Sequence, residues 1–321
     1  MRLRALSLVS AAFATAAFAQ QNHPADVHLQ VLPVQGNVYM IAGAGGNIAV
    51  QVGQEGVLMV DTGLAGTSDA VLEEIRKLSD KPLEYILNTH FHADHTGGNE
   101  ALRKAGVTIT GANVTGNLTD AAVGAQIVAQ LNVLNRMSAP TGRQAPTPAG
   151  AWPTDTEFIR DHKDLFFNDE PVQMIHQPAA HTDGDSLVWF RRSDVLVTGD
   201  IFVTTSYPFI DIEHGGSIQG EIEALNNIID ITVPKHEEEG GTYVISGHGR
   251  VCDEWEVVEY RDMVTIIRDR VQAAIKDGKT LAQIKEDHLT RDYDARYDTK
   301  TGFGGANQFI EAVYKSLIAG K

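Results

Sequence analysis

Cysteine and basic residues are scarce in this chain, and each shortage disfavours a class of protein. Cys252 is the only cysteine among 321 residues, so no disulfide can form within the chain. Lysine and arginine number 26 against 42 aspartates and glutamates, which gives a formal net charge of −16. Proteins that bind nucleic-acid phosphates need a basic face, so we expect no nucleic-acid partner.

Long apolar runs are missing after the N-terminus, where a membrane span would need about 20 apolar residues. The chain begins MRLRALSLVSAAFATAAFAQQ, in which Arg2 and Arg4 precede a short apolar stretch that ends in an A-x-A cleavage signal. We interpret residues 1–19 as a secretory signal peptide. The remaining chain is then expected to be exported, periplasmic or secreted, with no stable membrane span after cleavage.

One short stretch, NTHFHADHTGGNE at residues 88–100, is rich in potential metal ligands. It places His90, His92, Asp94 and His95 within six positions, directly after the apolar strand pattern LEYILN and before a Gly-Gly turn. Zinc prefers histidine nitrogen and carboxylate oxygen as ligands. On such a turn two histidines can converge on one point, and the next two ligands can reach a second point nearby.

Three further polar residues stand in similar settings later in the chain. His181 in AAHTDGDS, Asp200 in VLVTGDIF and His248 in VISGHGR each follow a predicted strand. Each also lies near glycine or another small residue, which allows close backbone approach. Any one of these residues could be structural, but together they supply enough ligands to complete two metal sites.

The pattern HFHADH, AHTDG, TGD and GHG resembles the metallo-β-lactamase-fold superfamily, and Asp61 in LMVDTG matches an earlier hallmark. The resemblance extends from about Val38 to about His248. It implies an α/β fold of the αββα type, in which two mixed β-sheets are flanked by helices and the metals lie at one edge of the sheets.

The resemblance also implies a role for each of these residues and a cofactor of two zinc ions, with other divalent metals as candidates. One ion would be held by His90, His92 and His181, and the other by Asp94, His95 and His248. Asp200 would bridge the two ions, Asp61 would orient ligands by hydrogen bonding, and Asp94 would act in catalysis by positioning a hydroxide shared by the ions.

The expected function is hydrolysis of a small ester, thioester, lactone or amide by an exported dinuclear zinc enzyme. A bridging aspartate at the TGD position resembles the glyoxalase II and lactonase branches, whereas β-lactamase branches usually lack it. Two alternatives remain open at this point. One is a metallo-β-lactamase that acts on β-lactam antibiotics, and the other is a non-catalytic or redox-relay metal-binding protein.

We expect residues 20–321 to form a single domain with a 112–170 insertion and a helical C-terminal extension at 253–321. Within the insertion, residues 119–135 have the apolar stripe of a helix, and residues 107–110 before it have a strand pattern. The stretch MSAPTGRQAPTPAGAWP then carries four of the 11 prolines. Irregular loops of this length are often lids, and an exposed apolar loop can equally contact a second copy of the chain.

The expected partner is a small-molecule substrate, and homo-oligomers are a further expectation. Aromatic residues that follow Asp200 closely are candidates to line the substrate pocket, together with one tryptophan of the insertion. These pocket candidates are Phe202, Tyr207, Phe209 and Trp152. The remaining histidines lack a metal-binding context, so we interpret residues such as His214 as surface or core, with His176 the strongest candidate for a supporting contact.

Overall fold

The computed structural model describes residues 27–108, 124–139, 147–237, 240–299 and 304–319. The predicted signal peptide at 1–19 and residues 140–146 of the proline-rich stretch lie outside the described residues. No helix within the described ranges is both long and apolar enough to cross a bilayer.

The N-terminal half of the chain forms a six-stranded sheet whose strands lie in chain order. Strands β1 to β4 pair antiparallel, and β5 and β6 continue the sheet parallel to β4. The strands are β1 Gln30–Gln35, β2 Val38–Ala42, β3 Ile48–Val52, β4 Val57–Val60, β5 Leu83–Leu87 and β6 Gln126–Val128.

A second six-stranded sheet follows, in the spatial order β12-β11-β10-β9-β8-β7. Its neighbours pair antiparallel except β10 and β11, which are parallel. The strands are β7 His162–Phe167, β8 Glu170–Gln177, β9 Asp185–Phe190, β10 Val195–Val197, β11 Tyr243–Ile245 and β12 Val251–Cys252.

Helices cover the outer face of each sheet. The first sheet packs against α1 and α3, and the second packs against α5, α6 and α9. The helices are α1 Ser68–Leu78, α2 Ala93–Thr96, α3 Asn99–Ala105, α4 Leu131–Ser138, α5 Ile218–Ile231, α6 Glu254–Lys276, α7 Leu281–Glu286, α8 Asp294–Tyr297 and α9 Ala306–Ala319.

Strand β4 shows why the sequence folds into layers. Successive side chains of a strand point to opposite faces, so Leu58 and Val60 pack between the two sheets while Met59 packs toward α1 and α3. Both faces of the strand are buried. Two mixed sheets with helices outside both confirm the predicted αββα fold.

The segment at 112–170 contributes regular structure to both sheets. Residues 126–128, predicted to be helical, form edge strand β6, and the helix in this region, α4, begins only at Leu131. Strand β7, at the end of the segment, is the edge of the second sheet. The strand predicted at 107–110 is also wrong for residues 107 and 108, which are irregular, and its last two residues lie outside the described ranges.

The strand directions bring the candidate metal ligands to one end of the molecule. Strands β4 and β5 are parallel, so Asp61 and the 88–95 turn follow them at the same edge. In the second sheet β8, β10 and β11 run in one direction, because β9 is antiparallel to β8 and to β10. His181, Asp200 and His248 follow these three strands and lie at their carboxyl ends.

Candidate metal centre

Three histidines from two distant loops form what we call the inner cluster: His90, His92 and His181. Together with Asp200 they offer ligand atoms that all lie within 4.8 Å of one another. His181 Nε2 lies 2.9 Å from His92 Nδ1. His90 and His181 are buried, at 1% and 0% exposure, so the inner cluster forms the floor of the site.

The outer cluster consists of Asp94, His95 and His248, whose ligand atoms also lie within 4.8 Å of one another. Asp94 Oδ2 lies 3.2 Å from His248 Nε2 and 3.8 Å from His95 Nε2. His95 is buried, but the side chains of Asp94 and His248 are about one-third exposed, at 34% and 31%. The outer cluster therefore faces solvent.

Asp200 lies between the two clusters. Its Oδ1 atom is 3.2 Å from His95 Nε2 and 3.4 Å from His248 Nε2, while its Oδ2 atom is 3.8 Å from His181 Nε2. The two oxygens of one carboxylate thus face different clusters. This is the arrangement that a bridging ligand requires.

Asp61 supports the outer cluster through hydrogen bonds. His95 Nδ1 lies 2.8 Å from Asp61 Oδ2, and the Thr89 backbone N–H and hydroxyl donate to the same carboxylate. Asp61 has a φ of 62°, a left-handed conformation that is strained for a residue other than glycine. The carboxylate fixes the orientation of the His95 ring, and the strain occurs at the metal centre.

Asp211 is a supporting residue that the sequence did not identify. Its Oδ2 atom lies 3.0 Å from His92 Nε2 and 2.7 Å from His214 Nδ1. His92 therefore directs Nδ1 toward His181 and Nε2 toward Asp211. His214, interpreted from sequence as surface or core, belongs to this supporting network, whereas the His176 ring contacts the Asp183 carbonyl near His181.

The pKa values of His90 and His181 are shifted in the opposite direction from those of His95 and His248. Burial, reinforced by neighbouring imidazoles, holds the pKa of His90 well below its usual range and lowers the pKa of His181 to about 4. Burial also opposes charge on the outer histidines, but carboxylates outweigh it there. Asp200 and Asp61 raise the pKa of His95 well above its usual value, and Asp200 and Asp94 raise the pKa of His248 to about 9.

The donor set fits divalent metal ions. Histidine nitrogens and carboxylate oxygens are ligands that zinc accepts, and His90 Nε2 is buried without a hydrogen-bond partner. A buried polar atom without a partner is costly unless a ligand satisfies it. Two glycines make room for this packing, because a Cβ atom at Gly46 would clash with the His95 ring and one at Gly247 would clash with Asp200.

A cavity of about 510 Å³ opens beside both clusters. Its described lining comprises His92, Ala93, Asp94, Asp200, Val203, Thr205, Ser206, Phe209, Asp211, His248, Thr299 and Gly304. Phe209 is the one predicted pocket aromatic in this lining, and its carbonyl also contacts His181 Nδ1. No described residue of the 112–170 segment lines the cavity, so a lid role for that segment stays a prediction.

The structure places the other three predicted pocket aromatics elsewhere. Phe202 packs edge-on against Tyr260, and Tyr207 stacks on Phe309, so both are buried under the C-terminal helices. Trp152 packs beneath the metal loop, against the cluster that contains Phe91. These three aromatic residues lie near candidate ligands because they pack in the core, and they do not line the cavity.

An αββα sandwich with histidine and aspartate clusters at one edge defines a class of metal-dependent hydrolases. A model of the metallo-beta-lactamase superfamily matches residues 31–236. The chain belongs to the metallo-beta-lactamase superfamily.

Relatives in the superfamily include enzymes with different substrates. A linear primary-alkylsulfatase from Pseudomonas sp. (strain ATCC 19151) is 24% identical over 293 residues, covering 82% of this chain and 54% of the relative. This chain thus spans about half the length of that curated relative.

Two solved structures show the same fold. The sec-alkylsulfatase Pisa1 from Pseudomonas sp. has a TM-score of 0.60 and 16% identity over 89% of this chain and 50% of its own. The DIM-1 metallo-beta-lactamase has a TM-score of 0.53 and 16% identity over 74% of this chain and 97% of its own.

Proposed function

We propose that this chain is an exported hydrolase that binds two zinc ions and cleaves a small uncharged acyl compound, such as an ester, thioester, lactone or amide. The observation that carries the proposal is the position of Asp200, whose two carboxylate oxygens face different histidine clusters. A carboxylate in that position can hold two ions close enough to act on one substrate.

Two bound ions would supply a water of lowered pKa and would polarise the acyl oxygen of the substrate. The chain's own residues then provide orientation. Burial raises the pKa of Asp94, but contacts with His248 and His95 outweigh burial and lower it, so the carboxylate stays ionised. Asp94 lines the cavity, where it would accept a hydrogen bond from the attacking water and direct that water at the acyl carbon.

The cavity supports an uncharged substrate. Its walls offer the apolar side chains of Val203 and Phe209 and the hydroxyls of Thr205 and Ser206. No lysine or arginine occurs among the described residues that line it; Lys300, between two lining residues in the chain, lies outside the described ranges. A volume of about 510 Å³ suits a small molecule.

A sulfate ester is the second candidate substrate, favoured by the relationship to the linear primary-alkylsulfatase over 82% of this chain. A sulfate ester is negatively charged, and so is the sulfate released from it. A site that binds sulfate therefore gains affinity from a positively charged group that forms charge-assisted hydrogen bonds. Because no lysine or arginine occurs among the described lining residues, that positive charge would have to come from the bound ions or from His248, and we rank the sulfate ester below the uncharged acyl compound.

Metal analysis and a substrate panel test the proposal on the purified full chain. We expect about two zinc ions per chain and hydrolysis of a nitrophenyl ester, a thioester or a lactone. Nitrocefin tests β-lactam hydrolysis, and a medium-chain alkyl sulfate tests the second candidate. Fewer than one bound zinc ion per chain after zinc reconstitution would contradict the proposal. Iron in place of zinc would favour the redox-relay alternative.

Export is proposed from the charged, apolar and small-residue pattern of residues 1–19 alone. Expression of the full chain in a bacterium, followed by fractionation and N-terminal sequencing, tests it. A cleaved chain in the periplasm or medium is expected, and an intact N-terminus in the cytoplasm would contradict export.

A further inference from the structure

The loop that joins β2 to β3, residues 43–47, lies against the outer cluster. Gly46 N–H donates to the Asp94 carbonyl at 3.0 Å, and its missing side chain leaves space that the His95 ring fills. Asn47 N–H donates to the Gly247 carbonyl at 2.8 Å. Two adjacent residues of this loop therefore contact the turn of Asp94 and His95 as well as the turn of His248.

The Asn47 side chain adds two more contacts to the His248 turn. Its Nδ2 atom donates to the Ser246 carbonyl at 2.8 Å and to the Gly249 carbonyl at 3.2 Å. Asn47 is buried, with 5% exposure. A single side chain from the first sheet thus holds the backbone on both sides of a ligand that belongs to the second sheet.

Other backbone contacts of the His248 turn come from segments that follow strands of its own sheet. Thr204 N–H donates to the His248 carbonyl at 3.0 Å, and the Ser246 hydroxyl donates to the Arg250 carbonyl at 2.9 Å. These contacts fix the turn relative to β10 and β11. They do not fix it relative to Asp94 and His95, which belong to the first sheet and complete the outer cluster.

We propose that Asn47 is a positioning residue that sets the metal affinity of the outer cluster by holding the His248 turn at the right distance from Asp94 and His95. The proposal rests on the proposed function, because it assumes that the outer cluster binds metal. Without the Nδ2 donor, two carbonyls lose their partner, and an unpaired buried carbonyl favours rearrangement of its backbone. His248 would then lie farther from Asp94.

Zinc titration of the full-length chain against a chromophoric chelator tests the proposal with Asn47→Ala. Substitution of a residue that orients a metal ligand typically lowers metal affinity by about 10–100-fold. We expect one of the two zinc dissociation constants to rise by about tenfold or more, and the other by less than about twofold. Asn47→Ser, which keeps a short polar side chain, replaces the alanine variant if that variant does not fold.

The matched control is Asn37→Ala. Asn37 Nδ2 donates to the Val52 carbonyl at 2.8 Å, so the substitution also removes a side-chain to backbone hydrogen bond in the same sheet, but away from His248. We expect both dissociation constants to match those of the unaltered chain. A purely structural role for Asn47 would instead make the two asparagine variants alike.

A double variant assigns the weakened site. His248→Ala removes an outer ligand, so adding Asn47→Ala to it should leave the one remaining dissociation constant unchanged. Unchanged constants in Asn47→Ala, or equal weakening of both, would overturn the positioning role. If the unaltered chain fails to bind two zinc ions, the proposed function fails instead, and the two failures are thereby distinguished.

Discussion

The inner and outer clusters use similar ligands in opposite settings. In the inner cluster, His90 and His181 are buried and their pKa values are lowered, whereas the outer histidines His95 and His248 lie among carboxylates that raise their pKa values. Metal binding needs deprotonated ligands. His90 and His181 are therefore available to an ion over a wide pH range, whereas His95 and His248 must first lose protons, so zinc affinity should depend more steeply on pH at the outer cluster.

Removing the residue that the clusters share should have the largest effect. Asp200→Asn keeps the shape of the side chain but removes its charge, so both ions should bind more weakly and the hydrolytic rate should fall by at least about 100-fold. Elemental analysis and kinetics on the same sample check this. Loss of one ion alone would show that Asp200 belongs to a single cluster.

Substituting one ligand of either cluster should remove the ion of that cluster and leave the other ion in place. His248→Ala should leave about one zinc ion per chain and lower the rate by roughly 10–100-fold, because the inner cluster is intact. His181→Ala should lose the deeper ion. Zinc stoichiometry by elemental analysis, with folding followed by circular dichroism, distinguishes these outcomes from general unfolding, which would remove both ions in either variant.

The pH dependence should distinguish the sites without any mutation. The pKa of His248 is about 9 in the metal-free fold and that of His95 is also raised, so zinc affinity at the outer cluster should fall by at least about tenfold for each pH unit below 9. His181, with a pKa of about 4, should stay deprotonated down to about pH 5, so zinc affinity at the inner cluster should depend less steeply on pH. Zinc titrations between pH 5.5 and 9 check this, and parallel slopes for both sites would contradict it.

The raised pKa of His248 also predicts that the stability of the metal-free chain falls as pH rises, whereas zinc affinity increases. A raised pKa means that the folded state binds the proton more tightly than the unfolded state. This contribution is fully present below the unfolded histidine pKa of about 6.5 and is lost as pH rises through about 9. Thermal melts in the presence of a chelator should therefore show that His248 contributes less stability at pH 9.5 than at pH 7.

The smallest of these effects should come from Asp211→Asn. Asp211 contacts His92 and His214 without occupying a ligand position, so its loss should weaken only the inner ion, by about tenfold. Chelator competition measures this. Asp61→Asn is the matched variant for the outer cluster, and an equal response of both ions to either substitution would remove the distinction between the clusters.

The sequence predicted the layers and the convergence of the candidate ligand residues because each depends on local pattern. His90 and His92 follow a strand, and His181, Asp200 and His248 do the same, so strand direction alone gathers them. Asp211 and Asn47 were not predicted. Their contacts, such as His92 with Asp211 across 119 positions, depend on how distant loops meet, which no short motif encodes.

Two errors have a common physical cause, which is that tertiary packing outweighed local pattern. Residues 126–128 lie in a stretch with a helical stripe, but they pair with β5 and complete the sheet. Phe202 and Tyr207 follow a ligand closely, yet the C-terminal helices bury them. The Tyr207 hydroxyl donates to Asp294 at 2.9 Å, a contact invisible in the sequence around Asp200.

The contact between Asn47 and Gly249 joins residues 202 positions apart, which bears on the order of events during folding. Contacts between residues so distant in the chain form late in folding, because the entropy cost of closing a long loop comes before the contact stabilises the fold. His95 and His248 are 153 positions apart, so their approach also requires closure of a long loop. If the chain is exported and binds two ions as proposed, it would thus fold first and capture its outer ion last, from whatever metal the surrounding compartment supplies at that moment.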